Sequence, residues 1–246
     1  MSLARERWRP ISPSPAYIIT GMKLARFALC FLAGVLAAQR PQPSFENDQV
    51  IVDAPHPSVD VPGSTHKMHE HKLNRVMVYM HTGGENLHYL DGHTGELKWK
   101  EGEVQWSPAS GWHYSEIPPE LDPRVWKTPA FTGPMIVDIG IKKPGIPGKT
   151  LSAFYPAFYK LELENSQVRV LRLKLAAHQS LPMEEHSVNR LVVCMVDQNV
   201  RETWGDGKIE TLTHKAAEYT WENAGRSKLE NLSDKPFEAV IVEFKS

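Results

Sequence analysis

Residues Met68 to Trp106 align without a gap onto Met183 to Trp221, and this internal repeat constrains the fold more than any other feature. Identical pairs include His71 and His186, Asn74 and Asn189, Arg75 and Arg190, Asp91 and Asp206, Glu103 and Glu218, and Trp106 and Trp221. The repeat extends upstream as FENDQV (45–50) against LENSQV (163–168), and downstream as GPMIVDIGIK (133–142) against KPFEAVIVEFK (235–245). A spacing of 115 residues is too long for a solenoid unit of roughly 20–50 residues. It is the size of a small domain with its own core. The expected organisation is two homologous domains, 39–146 and 151–246, with KKPGIPGKT (142–150) as linker and IPPELDPRVWKTPAFTG (117–133) as an inserted loop.

Each unit reads as β. VRVLRLKL (168–175) alternates apolar and polar residues, the period of a half-buried strand. RVMVYM (75–80) and RLVVCMV (190–196) are apolar at both parities, as in strands covered on two sides. Asp91-Gly92 and Asp206-Gly207 stand between strand-like runs and predict hairpins. No stretch after residue 40 shows a long amphipathic helix. Short strands at this spacing indicate sandwiches or barrels.

The formal net charge of −1 leaves no basic footprint for nucleic acid or an anionic membrane. From Met22, Lys23 and Arg26 precede an apolar run, Phe27 to Ala38, that ends in small residues. That is the layout of a secretory leader, and the run is shorter than the ~20 residues of a membrane span. The expectation is a leader over 1–38, a true start at Met22 as one option, and a periplasmic or secreted protein that has no membrane segment once the leader is removed. Cys194 would then be the only cysteine, and its apolar setting marks it as a core residue.

In an extended strand, residues i and i+2 point to one side. His69 and His71 therefore offer two imidazoles to one ion, and His113 is the candidate for a third ligand. Neutral imidazole suits Fe, Ni, Cu and Zn, and three protein ligands leave coordination positions open. His66 is an alternative ligand if the loop register differs. Trp99, Trp106 and Trp112 read as core or rim residues.

At these motifs the chain resembles the bicupins, tandem jelly-roll barrels of the conserved-barrel type in the cupin superfamily. Gly63, five residues, His69, Glu70 and His71 match the opening of one family motif. Gly102, five residues, Pro108 and then His113 match the other. The resemblance implies an all-β fold of two tandem jelly-roll barrels from an internal duplication. It implies a divalent transition metal (Fe, Mn, Ni, Cu or Zn) on His69, His71 and His113. The chain departs from the motifs where the family glutamate ligand is due, at Arg75 or Val76, and where the family asparagine is replaced by Ile117. A three-histidine set is also how the superfamily's thiol dioxygenases bind iron.

Arg75 in this place suits an anionic substrate; pairing with Glu70 or Glu103 is its structural alternative. Glu103 is a candidate general base if it points inward. In the second copy the ligand positions hold Glu184, His186 and Lys228, for which an ion pair of Lys228 with Glu184 is the simple expectation. The functional expectation is a metal-dependent dioxygenase, decarboxylase or isomerase acting on a small anionic molecule. The alternatives are a small-ligand or sugar binding module and a structural, partner-binding protein with decayed sites. A small-molecule ligand is the expected partner, and a homodimer is an option the sequence leaves open.

Overall fold

The computed structural model describes residues 45–53, 63–118, 136–146 and 148–246. The segment expected to be a leader, and most of the expected inserted loop, lie outside the described residues. The first half contributes β1 (Phe45–Glu46), β2 (Val50–Asp53), β3 (His69–His71), β4 (Asn74–Tyr79), β5 (Gly83–Tyr89), β6 (Thr94–Trp99), β7 (Val104–Ser107), β8 (Ser110–Glu116) and β9 (Ile136–Ile141). The second contributes β10 (Tyr159–Glu164), β11 (Val168–Leu175), β12 (Glu184–His186), β13 (Arg190–Cys194), β14 (Gln198–Trp204), β15 (Ile209–His214), β16 (Tyr219–Glu222), β17 (Gly225–Asn231) and β18 (Phe237–Phe244). There is no helix among the described residues.

The two halves share one plan. Their five-stranded sheets run β1-β2-β9-β4-β7 and β10-β11-β18-β13-β16, and their four-stranded sheets run β3-β8-β5-β6 and β12-β17-β14-β15. Strand for strand, the order is the same. Every ladder is antiparallel. Asp-Gly closes the β5–β6 and β14–β15 hairpins as predicted, with Gly92 at φ 91° and Gly207 at φ 88°, which a side chain would disfavour.

The five-stranded sheets are apolar on both faces because each has a barrel interior on one side and its twin on the other. Val76 and Val78 of β4 join Val52, Ile139, Leu191 and Val242 in one core drawn from both halves. The opposite parity of β4, Arg75, Met77 and Tyr79, lines the cavity of the first barrel. Each fully buried aliphatic side chain of the shared core contributes roughly 1.5–3 kcal/mol.

The alternation in β11 was expected to mark a half-buried strand; instead all but Lys174 are buried. The reason is that its arginines are paired. Arg169 Nε donates to Glu243 at 2.5 Å. Arg172 bonds Glu162 and Glu238, each at 2.7 Å, and reaches the Gly102 carbonyl of the other barrel. Buried charge is tolerated there because each guanidinium meets acceptors. Cys194 is a core residue, and burial pushes its thiol up to about 12.

Candidate metal centre

His69 and His71 lie on β3, and His113 lies opposite them on β8. The strand register pairs His69 with His113 but His71 with Ser110, so β8 carries one residue more than β3 between the two pairs. This β-bulge brings the His113 ring to the other two, with ring-centre distances of 4.8 Å for His69–His71, 4.6 Å for His69–His113 and 5.2 Å for His71–His113. Bulges commonly re-aim a side chain beside a functional site.

Hydrogen bonding sets the tautomers. His69 Nδ1 lies 2.8 Å from the Lys67 carbonyl, and His113 Nδ1 lies 2.8 Å from the Gly111 carbonyl. A carbonyl only accepts, so both Nδ1 atoms carry the proton and both Nε2 atoms present a lone pair. His69 Nε2 and His71 Nε2 are 3.1 Å apart. That is the separation of two adjacent nitrogens each about 2.1 Å from one ion. The ligand atoms of all three histidines lie within 4.8 Å of one another. Burial, and then the Arg75 charge, hold His71 down at about 3, so its ring is neutral at ordinary pH. The donor set fits a divalent transition metal.

The three histidines line a cavity of about 570 Å³ that also includes Arg75, Tyr79, Glu85, Trp99, Trp106 and Asp138. Trp99 stacks on Tyr79 with ring centres 4.6 Å apart. It does so over Gly83, where a Cβ would meet its indole at 2.7 Å. Trp112 faces outward and is exposed. His66 lines the cavity too, but it bonds Ser115 at 2.9 Å and stands outside the ligand group.

Arg75 reaches this cavity and pairs with neither Glu70 nor Glu103. One terminal nitrogen donates to Asp138 at 2.8 Å and the other to Ser107 at 2.8 Å, while Nε is buried without a partner. Glu70 pairs with Lys72 at 3.0 Å. Glu103 is no general base at this site: it accepts from the Lys100 amide at 2.9 Å and from Gln105 at 2.8 Å, closing a turn outside the cavity. Glu218 repeats the turn bond to Lys215 at 3.0 Å, which explains why the repeat keeps both acids. Asp138, Asp53 and Glu85 were missed in the sequence. For Asp138 the signal was present: it is a lone acid in an apolar closing strand.

The corresponding β12–β17 ladder of the second barrel has no bulge. Glu184 pairs with Ser227, Glu185 with Arg226 and His186 with Gly225, so Ser227 occupies the ladder position of His113. The expected Lys228–Glu184 ion pair does not form, because without the extra residue Lys228 falls on the other parity. Glu184 instead accepts from the Tyr159 hydroxyl at 2.5 Å. Arg190 pairs with Glu222 at 2.6 Å.

No protein-family model and no curated protein matches the chain. Solved structures do match it. AerE from Microcystis aeruginosa superposes with a TM-score of 0.52 at 13% identity, over 81% of this chain and 89% of that one. Oxalate decarboxylase from Bacillus subtilis superposes with a TM-score of 0.53 at 12% identity, over 81% of this chain and 68% of that one. The likeness is one of fold: this chain is a pair of tandem jelly-roll β-barrels.

Proposed function

We propose that the first barrel is the site of a metal-dependent enzyme acting on a small organic molecule, and that the second barrel is kept for packing. The observation that carries this reading is the orientation of His69 and His113, whose Nδ1 protons are tied to backbone carbonyls so that both Nε2 lone pairs are presented together. Such supporting bonds fix the tautomer and ring orientation that a ligating histidine needs.

His69, His71 and His113 would hold the ion, which when bound supplies Lewis acidity and open coordination positions. The cavity beside them gives a small molecule apolar walls at Met77, Leu87, Leu97 and Trp99. We assign the buried Nε–H of Arg75 as a donor to a ligand oxygen; its terminal nitrogens are already engaged, so it acts as a single donor. Likeness to a decarboxylase and the three-histidine set support chemistry over simple binding. The leader-like segment after Met22 extends the proposal to an exported protein.

The test is metal content after native purification. The intact chain should carry about one transition-metal equivalent. Replacing His69, His71 or His113 by alanine should remove it, whereas His186→Ala should not. A metal-free native protein would end the reading.

A further inference from the structure

We infer that the cavity of the first barrel takes a ligand whose metal-ligating head carries a flat apolar body, such as an aromatic ring, in preference to a compact polar molecule that is all head. The inference rests on the metal reading above and goes on to name the class of ligand.

The strands give the cavity a direction. Tyr89 meets His113 across the β5–β8 ladder with ring centres 5.2 Å apart, and His71 feels the Arg75 charge, so Tyr89 and Arg75 mark the metal end. Arg75, Met77 and Tyr79 line the cavity at alternate positions of β4 and span about 13 Å of strand. On β5, Leu87 stands one step further from the histidines than Tyr89. At the far end Met77, Tyr79 and Trp99 form a buried cluster against which Leu97 and Ile136 pack. A ligand with its head at the histidines therefore extends past Leu87 and Met77 toward the Tyr79–Trp99 stack.

The volume of about 570 Å³ lies within the roughly 300–1,000 Å³ of pockets that enclose a whole organic molecule. A compact diacid would fill only the metal end. Several polar side chains of the wall are already held: the Arg75 terminal nitrogens by Asp138 and Ser107, and the Tyr79 hydroxyl by Gln105, whose amide donates to the Lys98 carbonyl and to Glu103. What Met77, Leu87 and Leu97 offer a ligand is carbon surface, whose burial favours binding in proportion to its area. The twin barrel shows that this space need not be open. Val192 and Leu212, at the repeat positions of Met77 and Leu97, pack there against a cluster containing Leu173, Phe237 and Ile241, joined by Phe154 and Phe158. Leaving such space unfilled costs stability. Its retention in the barrel that keeps three histidines points to an occupant.

Acetohydroxamate and benzohydroxamate, one head without and with a ring, test this when titrated calorimetrically into the zinc-loaded full chain. Benzohydroxamate should bind about tenfold more tightly or better. Its heat-capacity change should also be the more negative, the mark of apolar surface buried on binding. Leu87→Trp, which fills the middle of the cavity, should bring the two affinities to within about twofold of each other. The heat-capacity comparison needs only the wild type, so it decides even if that variant fails to fold. Equal affinities, equal heat-capacity changes, or a ring preference that survives Leu87→Trp overturns the inference and leaves the metal reading standing. A chain that holds zinc but binds neither compound overturns the inference alone. If the chain retains no zinc, the metal reading fails and this inference falls with it.

Discussion

Asn74 of the first barrel donates from Nδ2 to Gln167 Oε1 of the second at 2.6 Å, and Asn189 returns the same bond to Gln49 at 2.6 Å. Each asparagine also accepts a backbone amide, Ala109 or Ala224, at 2.9 Å. The glutamines close the network on the Lys143 and Ser246 carbonyls. The repeated Asn and Gln residues are therefore polar pins at two related points of the barrel–barrel contact.

Asn74→Ala should strand both Gln167 and the Ala109 amide and cost about 1–3 kcal/mol. For a chain of this size that lowers the melting temperature by about 2–4 °C per kcal/mol. Asn189→Ala should cost a similar amount, and neither change should alter metal content. Thermal melting with metal analysis of the same samples checks this. An Asn74→Ala protein that melts like wild type would show that the pin carries no stability.

The register difference between the barrels makes a second prediction. Ser227, not Lys228, sits opposite Glu184. Ser227→His should therefore add an imidazole to Glu184 and His186, and raise metal content above that of wild type. Lys228→His should leave it unchanged. Equal metal content in both variants would mean that the ladder position does not control ligand placement.

Arg75 and Asp138 form a largely buried pair, with side-chain exposures of 13% and 20%. Burial pushes the Asp138 carboxyl up, and Arg75 opposes that shift. Arg75→Ala should leave Asp138 uncompensated and cost on the order of 3–5 kcal/mol. The double change Arg75→Met, Asp138→Leu should recover much of that loss, because two apolar groups strand no charge. Urea unfolding of the two variants decides; no recovery in the double variant would show that the charge pair is not what holds this site.

Glu202 is buried in the second barrel, and burial, then the Glu222 charge, push its carboxyl up to about 7 from 4.5. The folded state thus binds a proton that the unfolded state releases. The stability this adds is complete below pH 4.5 and is lost as pH rises through 7. His186 acts oppositely: burial and Arg190 lower it to about 4 from 6.5, so its contribution is lost as pH falls. Glu202→Gln should accordingly match wild type near pH 4.5 and exceed it above pH 7 by on the order of 3 kcal/mol. Denaturant unfolding at both pH values measures the difference. A constant offset across the range would locate the effect in packing rather than ionisation.

The sequence by itself determined whatever depends on local spacing. Alternation decides which side chains share a face, so the all-β class, the Asp-Gly hairpins and the shared direction of His69 and His71 were legible. The strands apolar at both parities already signalled a second covered face. What covers it, the twin barrel, was decided by tertiary structure, since nothing local in Val76 or Val78 names Leu191 or Val242 as the partner. The partner of Arg75 was likewise hidden. Asp138 stands 63 residues away in the chain and meets Arg75 only where β9 lies beside β4. The bulge that aims His113 is a property of how β8 pairs with β3, and its absence opposite Glu184 turned Lys228 away. A side chain's parity is written in its own strand, whereas its neighbour across the ladder depends on register, which only the folded sheet fixes.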